Sequence, residues 1–366
     1  MRQIGLVVNP IAGIGGRLGF KSSDGILARR ASELGGTSSA PQRTVEALLE
    51  ILKAKNDFTL LTYPSEMGQD EAIESGLNPT VIGQFVAGHS TAEDTKKAAR
   101  EMIQQAELIL FTGGDGTARD IMEVVQRRVS VLGIPAGVKM HSGVFAINPR
   151  LAGRLTVSFL AGETVTKPVE VLDYDDQGNL KLYGYMCVPY EQAFIQGSKS
   201  YFPMNEDDEA GIVAGIIEEL SDDDAYIVGP GSTAKAFIKG LGLPYTLLGV
   251  DVVKNKQILI QDANERQLLD VVNRFNSRIL IGVIGGQGFL FGRGNQQISH
   301  NVIRKVGKEN LIIVATERKI TSLRGRPLLV DTGDQELDQS LVGYVKVNTG
   351  YRLSAVCKVA QSGAQP

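Results

Sequence analysis

Continuous apolar runs alternate with amphipathic stretches over residues 1–150. Ile4-Gly5-Leu6-Val7-Val8 reads as a buried strand that ends at Asn9-Pro10. Phe58 to Thr62, Thr80 to Phe85, Leu108 to Phe111 and Ser130 to Ile134 share that texture, which suits strands covered on both faces. Between them, Val45, Leu48, Leu49 and Leu52 recur at helical spacing. Glu66 to Ser75 reads as a helix stopped by Gly76, and Ser90-Thr91-Ala92-Glu93-Asp94 supplies cap residues for a helix to about Gln105. The alternation predicts an α/β fold with a parallel sheet covered by helices. Ligands of such sheets sit outside the carboxyl ends of the strands. The glycine-bearing loops 9–19, 113–117 and 135–143 all fall at such ends, which points to one nucleotide site.

After Asn148-Pro149-Arg150 the texture changes. A helix over Leu151 to Leu160 precedes Val165 to Tyr174 and Leu180 to Val188, which alternate apolar and polar residues around Asp175-Asp176-Gln177-Gly178-Asn179. That is a hairpin signal. A helix over Ala210 to Leu220 and strands at Ala225 to Val228, Ile279 to Ile284, Leu311 to Ala315 and Leu328 to Val330 follow. Tyr344 to Val347 and Tyr351 to Val359 read as a closing hairpin, and the tail Gln361 to Pro366 as disordered. The expected division is an α/β domain over 1–150, a mainly β domain over 151–360 and a tail over 361–366.

A chain of 366 residues exceeds the size at which one core stops growing, which supports two domains. Its net charge of −3 argues against a general affinity for nucleic acid. Cys187 and Cys357 are far apart and lack a spaced His/Cys set, so free thiols in a reducing compartment are expected and zinc is not. No signal-peptide pattern and no run of membrane-spanning length is present, and a cytoplasmic protein without membrane partners is expected.

The strongest candidate chemistry lies in Gly113-Gly114-Asp115-Gly116-Thr117, between an apolar strand and a helix carrying Ile121, Met122, Val124 and Val125. Bare glycine amides at a helix N-terminus close readily on an anion. A carboxylate beside phosphate makes sense when it binds a metal ion or takes a proton from an attacking hydroxyl. The alternative is a tight turn with a capping Asp115. In the first loop, Asn9, Gly13, Gly15 and Gly16 have the glycine density of a phosphate cradle, with Arg17 and Lys21 nearby, although a plain loop also fits. Ser22, Ser23 and Asp24 then supply a polar pocket edge or a helix cap. Gly137, Lys139 and His141 share the third loop, where Lys139 pairs with phosphate or is merely solvated, and His141 contacts ribose or base or is packed. His89 and His300 read as structural.

Gly231, Ser232 and Thr233 offer a close backbone approach and two hydroxyls at a helix start. Gly286 and Gln287 lie in a pliable loop, and Arg293 beyond it would neutralise phosphate charge. Asp173, Asp175 and Asp176 read as solvated acids near the hairpin tip rather than a cation site. No zinc or other metal ligand set is identifiable.

GGDGT after a buried strand resembles the NAD kinase, diacylglycerol kinase and sphingosine kinase superfamily. The whole chain is similar to the ATP-NAD kinase-like group that includes the AcoX proteins. VVNPIAGIGG (7–16), FKSSDG (20–25), GGDGTARD (113–120), GIPAGVKMHS (133–142), GPGSTAKA (229–236), GGQGFLFGRGNQQIS (285–299) and GRPLLVDTGD (325–334) carry that likeness. It implies an NAD kinase-like fold, with a Rossmann-like N-terminal domain and a mainly β second domain with inserted helices, and ligands in the cleft between them. The implied reaction moves a phosphoryl group from ATP, or polyphosphate, with Mg²⁺, to the 2′-hydroxyl of NAD. Asp115 would act on the hydroxyl, and Thr117 with the glycine loops would hold the phosphates.

Other readings are a kinase for another small alcohol or lipid head group, and a nucleotide-binding accessory protein without turnover. NAD kinases carry an Asn-Glu pair that contacts the dinucleotide. Asn205-Glu206 falls in the matching interval but inside the acidic run NEDDE, so an acidic loop capping the next helix is the favoured reading and the match is taken as chance. Lipid kinases of the superfamily place an acidic residue after a C-terminal strand as a general base; Asp331 or Asp334 is the candidate equivalent, although the lipid-kinase Asp-Gly-Glu is absent. A homo-oligomer is expected by the same resemblance.

Overall fold

A computed structural model describes residues 2–20, 25–54, 57–138, 140–175, 177, 179–192, 194–196 and 206–361, with side chains at all of these but 25 and 206–208. Lys21, Ser22, Ser23, Asp24, Lys139, Asp176, Gly178, Asn205 and the tail beyond Gln361 lie outside the described residues, as does the side chain of Glu206. The chain forms two compact units, Met1–Gly15 with Ser22–Ser198, and Gly16–Lys21 with Lys199–Pro366.

The first unit contains β1 (Arg2–Val8), α1 (Gly25–Glu33), α2 (Ala40–Lys53), β2 (Phe58–Thr62), α3 (Gln69–Glu74), β3 (Thr80–Val81), α4 (Ala92–Met102), β4 (Leu108–Gly113), α5 (Asp115–Val125), β5 (Ser130–Pro135), α6 (Pro149–Leu160), β6 (Val165–Tyr174) and β7 (Leu180–Tyr190). Among the described residues the first five strands form a parallel sheet in the order β3-β2-β1-β4-β5. β4 is buried at every position, because strands flank it and helices cover it. The chain proceeds outward from β1 to β2 and β3 on one side and through β4 to β5 on the other. That reversal opens a crevice at the carboxyl ends of β1 and β4.

Two expected elements are shorter. β3 pairs only Thr80 and Val81, as an exposed edge, before Gly83 (φ +69) turns the chain away. The helix expected over Glu66 to Ser75 is a short 3-10 turn, Ser65–Met67, then α3, interrupted by Gly68 at φ +133.

Residues 151–198 group with the first unit, whereas the sequence suggested a boundary at 150. The cause is apolar burial: Leu151 and Leu155 of α6, Val169 and Val171 of β6, and Met186 and Val188 of β7 join the same core as β4 and β5. The β6–β7 ribbon is antiparallel, and a lone two-stranded ribbon is marginal in water without such packing.

The second unit contains α7 (Glu206–Glu218), β8 (Ala225–Val228), α8 (Ser232–Gly240), β9 (Asp251–Lys254), β10 (Gln257–Ile260), α9 (Glu265–Arg274), β11 (Ser277–Gly282), β12 (Phe289–Phe291), α10 (His300–Val306), β13 (Leu311–Val314), α11 (Glu317–Ser322), β14 (Leu328–Val330), α12 (Gln335–Leu341), β15 (Gly343–Gly350) and β16 (Leu353–Gln361). Its described strands form a mixed nine-stranded sheet, β10-β9-β8-β11-β13-β15-β16-β14-β12. Strand period 2 sends alternate side chains to opposite faces. Ile227, Ile279 and Ile281 pack with Leu268 of α9 and Val302 of α10, while Tyr226, Val228 and Leu280 pack with Ile212 of α7 and Phe237 of α8. β8, β11 and β13 run parallel side by side, so this unit also gathers loops at one carboxyl edge. Among the described residues no helix is long and apolar enough to cross a membrane.

Candidate functional site

In the first unit, three loops converge where β1, β4 and β5 end. The Asn9 amide N–H donates to the Thr112 carbonyl at 3.0 Å. Its side-chain Nδ2 donates to Thr117 Oγ1 at 2.9 Å. Ala136 and Gly137 both donate backbone N–H groups to the Gly113 carbonyl, at 2.9 and 3.0 Å. The start of α2 clamps two of the loops, with Ser38 Oγ on the Ala12 carbonyl at 2.8 Å and Ser39 Oγ on the Ala136 carbonyl at 3.2 Å.

Close backbone approach explains two of the glycines. A Cβ on Gly137 would lie 2.6 Å from Gly114 Cα, and one on Gly13 (φ +79) would lie 2.5 Å from the Ala136 carbonyl oxygen. Among the described residues, the amides of Gly13, Gly15 and Gly16 make no hydrogen bond. Those of Asp115, Gly116 and Thr117 open α5, where a helix cannot satisfy its own first amides. Side-chain caps close α4, α6, α9, α10 and α12, through Thr91, Asn148, Asn264, Ser299 and Asp334. α5 and α8 start from Gly114 and Gly231 without one, and α2, α3 and α11 also lack a side-chain cap. Such ends suit an anionic ligand.

The segment Gly16–Lys21 groups with the second unit, where the Arg17 carbonyl accepts the Glu265 amide at 3.0 Å and Arg17 Nη1 lies 3.9 Å from Glu265 Oε2.

Asp115, at the first position of α5, is only 5% exposed. Its carboxylate accepts the backbone N–H of His141 at 2.6 Å and of Ser142 at 3.0 Å. Burial pushes its pKa up to about 7, against the lowering effect of the hydrogen bonds from Ser142 and His141. The acid therefore faces the third loop inside the protein and titrates near neutrality. The His141 ring is buried edge-on to Tyr174, with centroids 5.2 Å apart. Ser142 Oγ donates to the Leu172 carbonyl and accepts the Leu172 amide, both at 2.9 Å.

The β6–β7 ribbon thus braces the loop that Asp115 holds, and it brings residues that local sequence did not mark. Arg119 of α5 pairs with Asp173 at 3.3 Å and lies 5.3 Å from the Tyr183 ring. Asp175, by contrast, is a turn residue whose carboxylate accepts the amides of Gln177 and Asn179. Among the described residues no group of three or more His, Cys, Asp or Glu is placed to hold a metal ion.

In the second unit, Gly231, Ser232 and Thr233 open α8 beyond β8. Thr233 Oγ1 accepts from Lys319 Nζ at 2.7 Å and donates to Glu209 Oε1 at 3.4 Å. Lys319 belongs to α11, so a cation stands beside this hydroxyl that sequence reading did not identify. Lys235 behind the loop is buried, donating to the Val228 carbonyl at 2.9 Å and to Asp251 Oδ2 at 2.8 Å. Burial alone would raise the Asp251 carboxyl, but Lys235 and the hydrogen bonds from Thr246 and Asp262 outweigh it and hold it below the ordinary value.

Gly286 and Gln287 lie in the turn that joins β11 to β12, closed by the Gly288 amide on the Ile284 carbonyl at 2.7 Å. Arg293, expected to meet phosphate, is 5% exposed and its Nη1 donates to Asp331 Oδ2 at 2.8 Å. Its guanidinium also covers the Phe289 ring at 4.5 Å. The pair joins the loops after β12 and β14, so each charge is already met by the other. Asp334 caps α12 through the Leu337 amide and binds Arg304, and those two partners, in that order, hold its carboxyl below the usual range.

The chain matches the ATP-NAD kinase N-terminal domain over residues 4–164 and the ATP-NAD kinase C-terminal domain over residues 221–359. No curated protein matches it in sequence. Among solved structures it is similar to a diacylglycerol kinase from Bacillus anthracis str. Sterne, at 18% identity and a TM-score of 0.25, over 49% of this chain and 45% of that one. The chain thus spans less than half the length of that kinase. It is also similar to a UDP-GlcNAc 2-epimerase from Neisseria meningitidis, at 10% identity and a TM-score of 0.23, over 100% of this chain and 73% of that one. TM-scores this low carry no weight for fold or function, and the two family domains bear both.

Proposed function

Because the chain belongs to the ATP-NAD kinase family, carrying both of its domains, we propose that it transfers a phosphoryl group from ATP to the adenosine-ribose 2′-hydroxyl of NAD, giving NADP. The observation that carries this reading is Asp115: a buried acid titrating near 7, fixed where three glycine-bearing loops meet at the sheet's switch point.

In this reaction the hydroxyl oxygen forms a bond to the γ-phosphorus while the bond to the β,γ-bridging oxygen breaks, and ADP leaves. The hydroxyl proton passes to the Asp115 carboxylate, which the His141 and Ser142 amides hold in place. A base with a pKa near the working pH suits that transfer. Gly13 and Gly15 offer amides to phosphate oxygens, as do the first amides of α5. Asn9 fixes Thr117, so the first loop and that helix start form one surface.

Both Asp115 oxygens are on amides, and among the described residues no group of three or more His, Cys, Asp or Glu is placed to hold a metal ion, which does not make a protein cage for a divalent ion. Mg²⁺ held mainly by nucleotide phosphates and water fits such a site, and when bound it would neutralise the charge of the donor phosphates.

Within the second unit, Ser232 and Thr233 open α8 and the Lys319 ammonium stands beside the Thr233 hydroxyl. We assign these to ligand phosphate or ribose oxygens. Gly286 and Gln287 supply a turn, whereas Arg293 acts as a clamp through Asp331. Incubation of the pure protein with ATP, Mg²⁺ and NAD tests the reading: NADP and ADP form in equal amounts. A nucleotide-binding role without turnover is the second reading, favoured by the engagement of both Asp115 oxygens. It predicts ATP binding with no ADP release on NAD or any other alcohol.

A further inference from the structure

α5 has a second end that the proposed reaction does not use. At 1.5 Å per residue, its eleven residues place Val125 roughly 16 Å from the Asp115 loop. There the chain turns at Gln126 (φ +51) into Arg127 and Arg128. These three residues, with Met122 of α5 and Tyr185 of β7, line a hollow of about 490 Å³. The Arg127 guanidinium stands 5.7 Å from the Tyr185 ring centroid. Arg128 donates to the Val124 carbonyl and so offsets the partial negative charge of the helix end. Among the described residues neither guanidinium meets a carboxylate, although Arg154, Arg278, Arg304 and Arg352 each do. Both arginines line the hollow, so an anion held there meets two positive charges.

We propose that this hollow binds a phosphate-bearing aromatic ligand of nucleotide size. Guanidinium groups match phosphate oxygens in pairs. The Tyr185 ring and the Met122 thioether offer an apolar wall for a flat base. The volume falls within the range of small-molecule sites. The proposal does not rest on the kinase reading, since none of these residues touches the glycine loops of the proposed reaction.

The chain contains no tryptophan, so Tyr185→Trp places a lone indole in the hollow. The full-length variant is titrated with AMP, with adenosine and with inorganic phosphate, following indole fluorescence. The proposal expects a saturable response to AMP, at least tenfold weaker binding of adenosine and of phosphate, and loss of the response when Arg127→Ala is added. The arginine Nε–H signals of the unsubstituted protein, assigned through Arg127→Lys and Arg128→Lys, provide a check that leaves Tyr185 in place, and those of Arg127 and Arg128 should shift with AMP. An AMP response that survives Arg127→Ala overturns the proposal. So does a silent indole together with unshifted arginine signals. Equal affinity for phosphate and AMP rejects the aromatic half of the site.

Discussion

The side-chain amide of Asn9 donates to the hydroxyl of Thr117 at 2.9 Å, across 108 residues of sequence. This bond joins the end of β1 to the first turn of α5 and makes one surface of two glycine loops. Asn9→Ala removes it, and a single hydrogen bond of this kind is worth about 1 kcal/mol. We expect KM for ATP to rise about fivefold with a smaller change in kcat, measured by steady-state kinetics. An unchanged KM would show that the two loops do not act together on the donor.

Gly137→Ala tests the contact between the second and third loops. The new Cβ would lie 2.6 Å from Gly114 Cα, where backbone must move. Overpacking of this kind costs about 1–3 kcal/mol. The variant should lose at least tenfold in kcat/KM, with its melting temperature lowered by several degrees.

Glu71 of α3 is 2% exposed, and among the described residues its Oε2 has no hydrogen-bond partner. Burial raises its pKa to about 7, from an ordinary value of 4.5. The folded state therefore prefers the protonated acid. That stability is complete below pH 4.5 and drains away as pH rises to 7. The shift corresponds to about 3 kcal/mol. Glu71→Gln cannot ionise, so denaturant unfolding should show the variant gaining about that much on the parent between pH 4.5 and pH 7. Parallel pH profiles would contradict the assignment.

Lys235 and Asp251 are each almost fully buried and lie 2.8 Å apart beneath the Gly231 loop. Removing one partner of a buried pair leaves a charge without compensation and costs about 3–5 kcal/mol. Lys235→Met should therefore be destabilised by that amount in chemical denaturation, and more than Arg304→Met, whose salt bridge is half exposed.

Local pattern makes much of this architecture legible in the sequence. The apolar runs at Phe58–Thr62, Ala225–Val228 and Leu328–Val330 are strands at the bounds their sequence suggests, because nothing distant competes with their burial. Thr80 to Phe85 is a strand only at Thr80 and Val81, because it sits at an edge and Gly83 turns the chain away. The β6–β7 ribbon was legible as a hairpin, but its allegiance to the first unit was not. That depends on Met186 and Val188 meeting a core built from residues far earlier in the chain.

The same distinction divides the site. Asp115 and its glycines form one contiguous motif and could be found by reading. Arg293 looked available for phosphate because its partner Asp331 is 38 residues away. Lys319 escaped notice because only folding brings it to Thr233, 86 residues away. Neighbours of that kind leave no local signal.

The pH dependence of kcat for NADP formation, in the parent and in Asp115→Asn, bears most directly on Asp115 as the base. The parent rate should climb about tenfold per pH unit below about 7 and level off above it, as the buried carboxyl ionises. Asp115→Asn should keep its fold and its affinity for ATP while kcat falls by orders of magnitude and the inflection near 7 disappears. A folded Asp115→Asn protein that retains the parent's kcat and the same inflection would contradict the account.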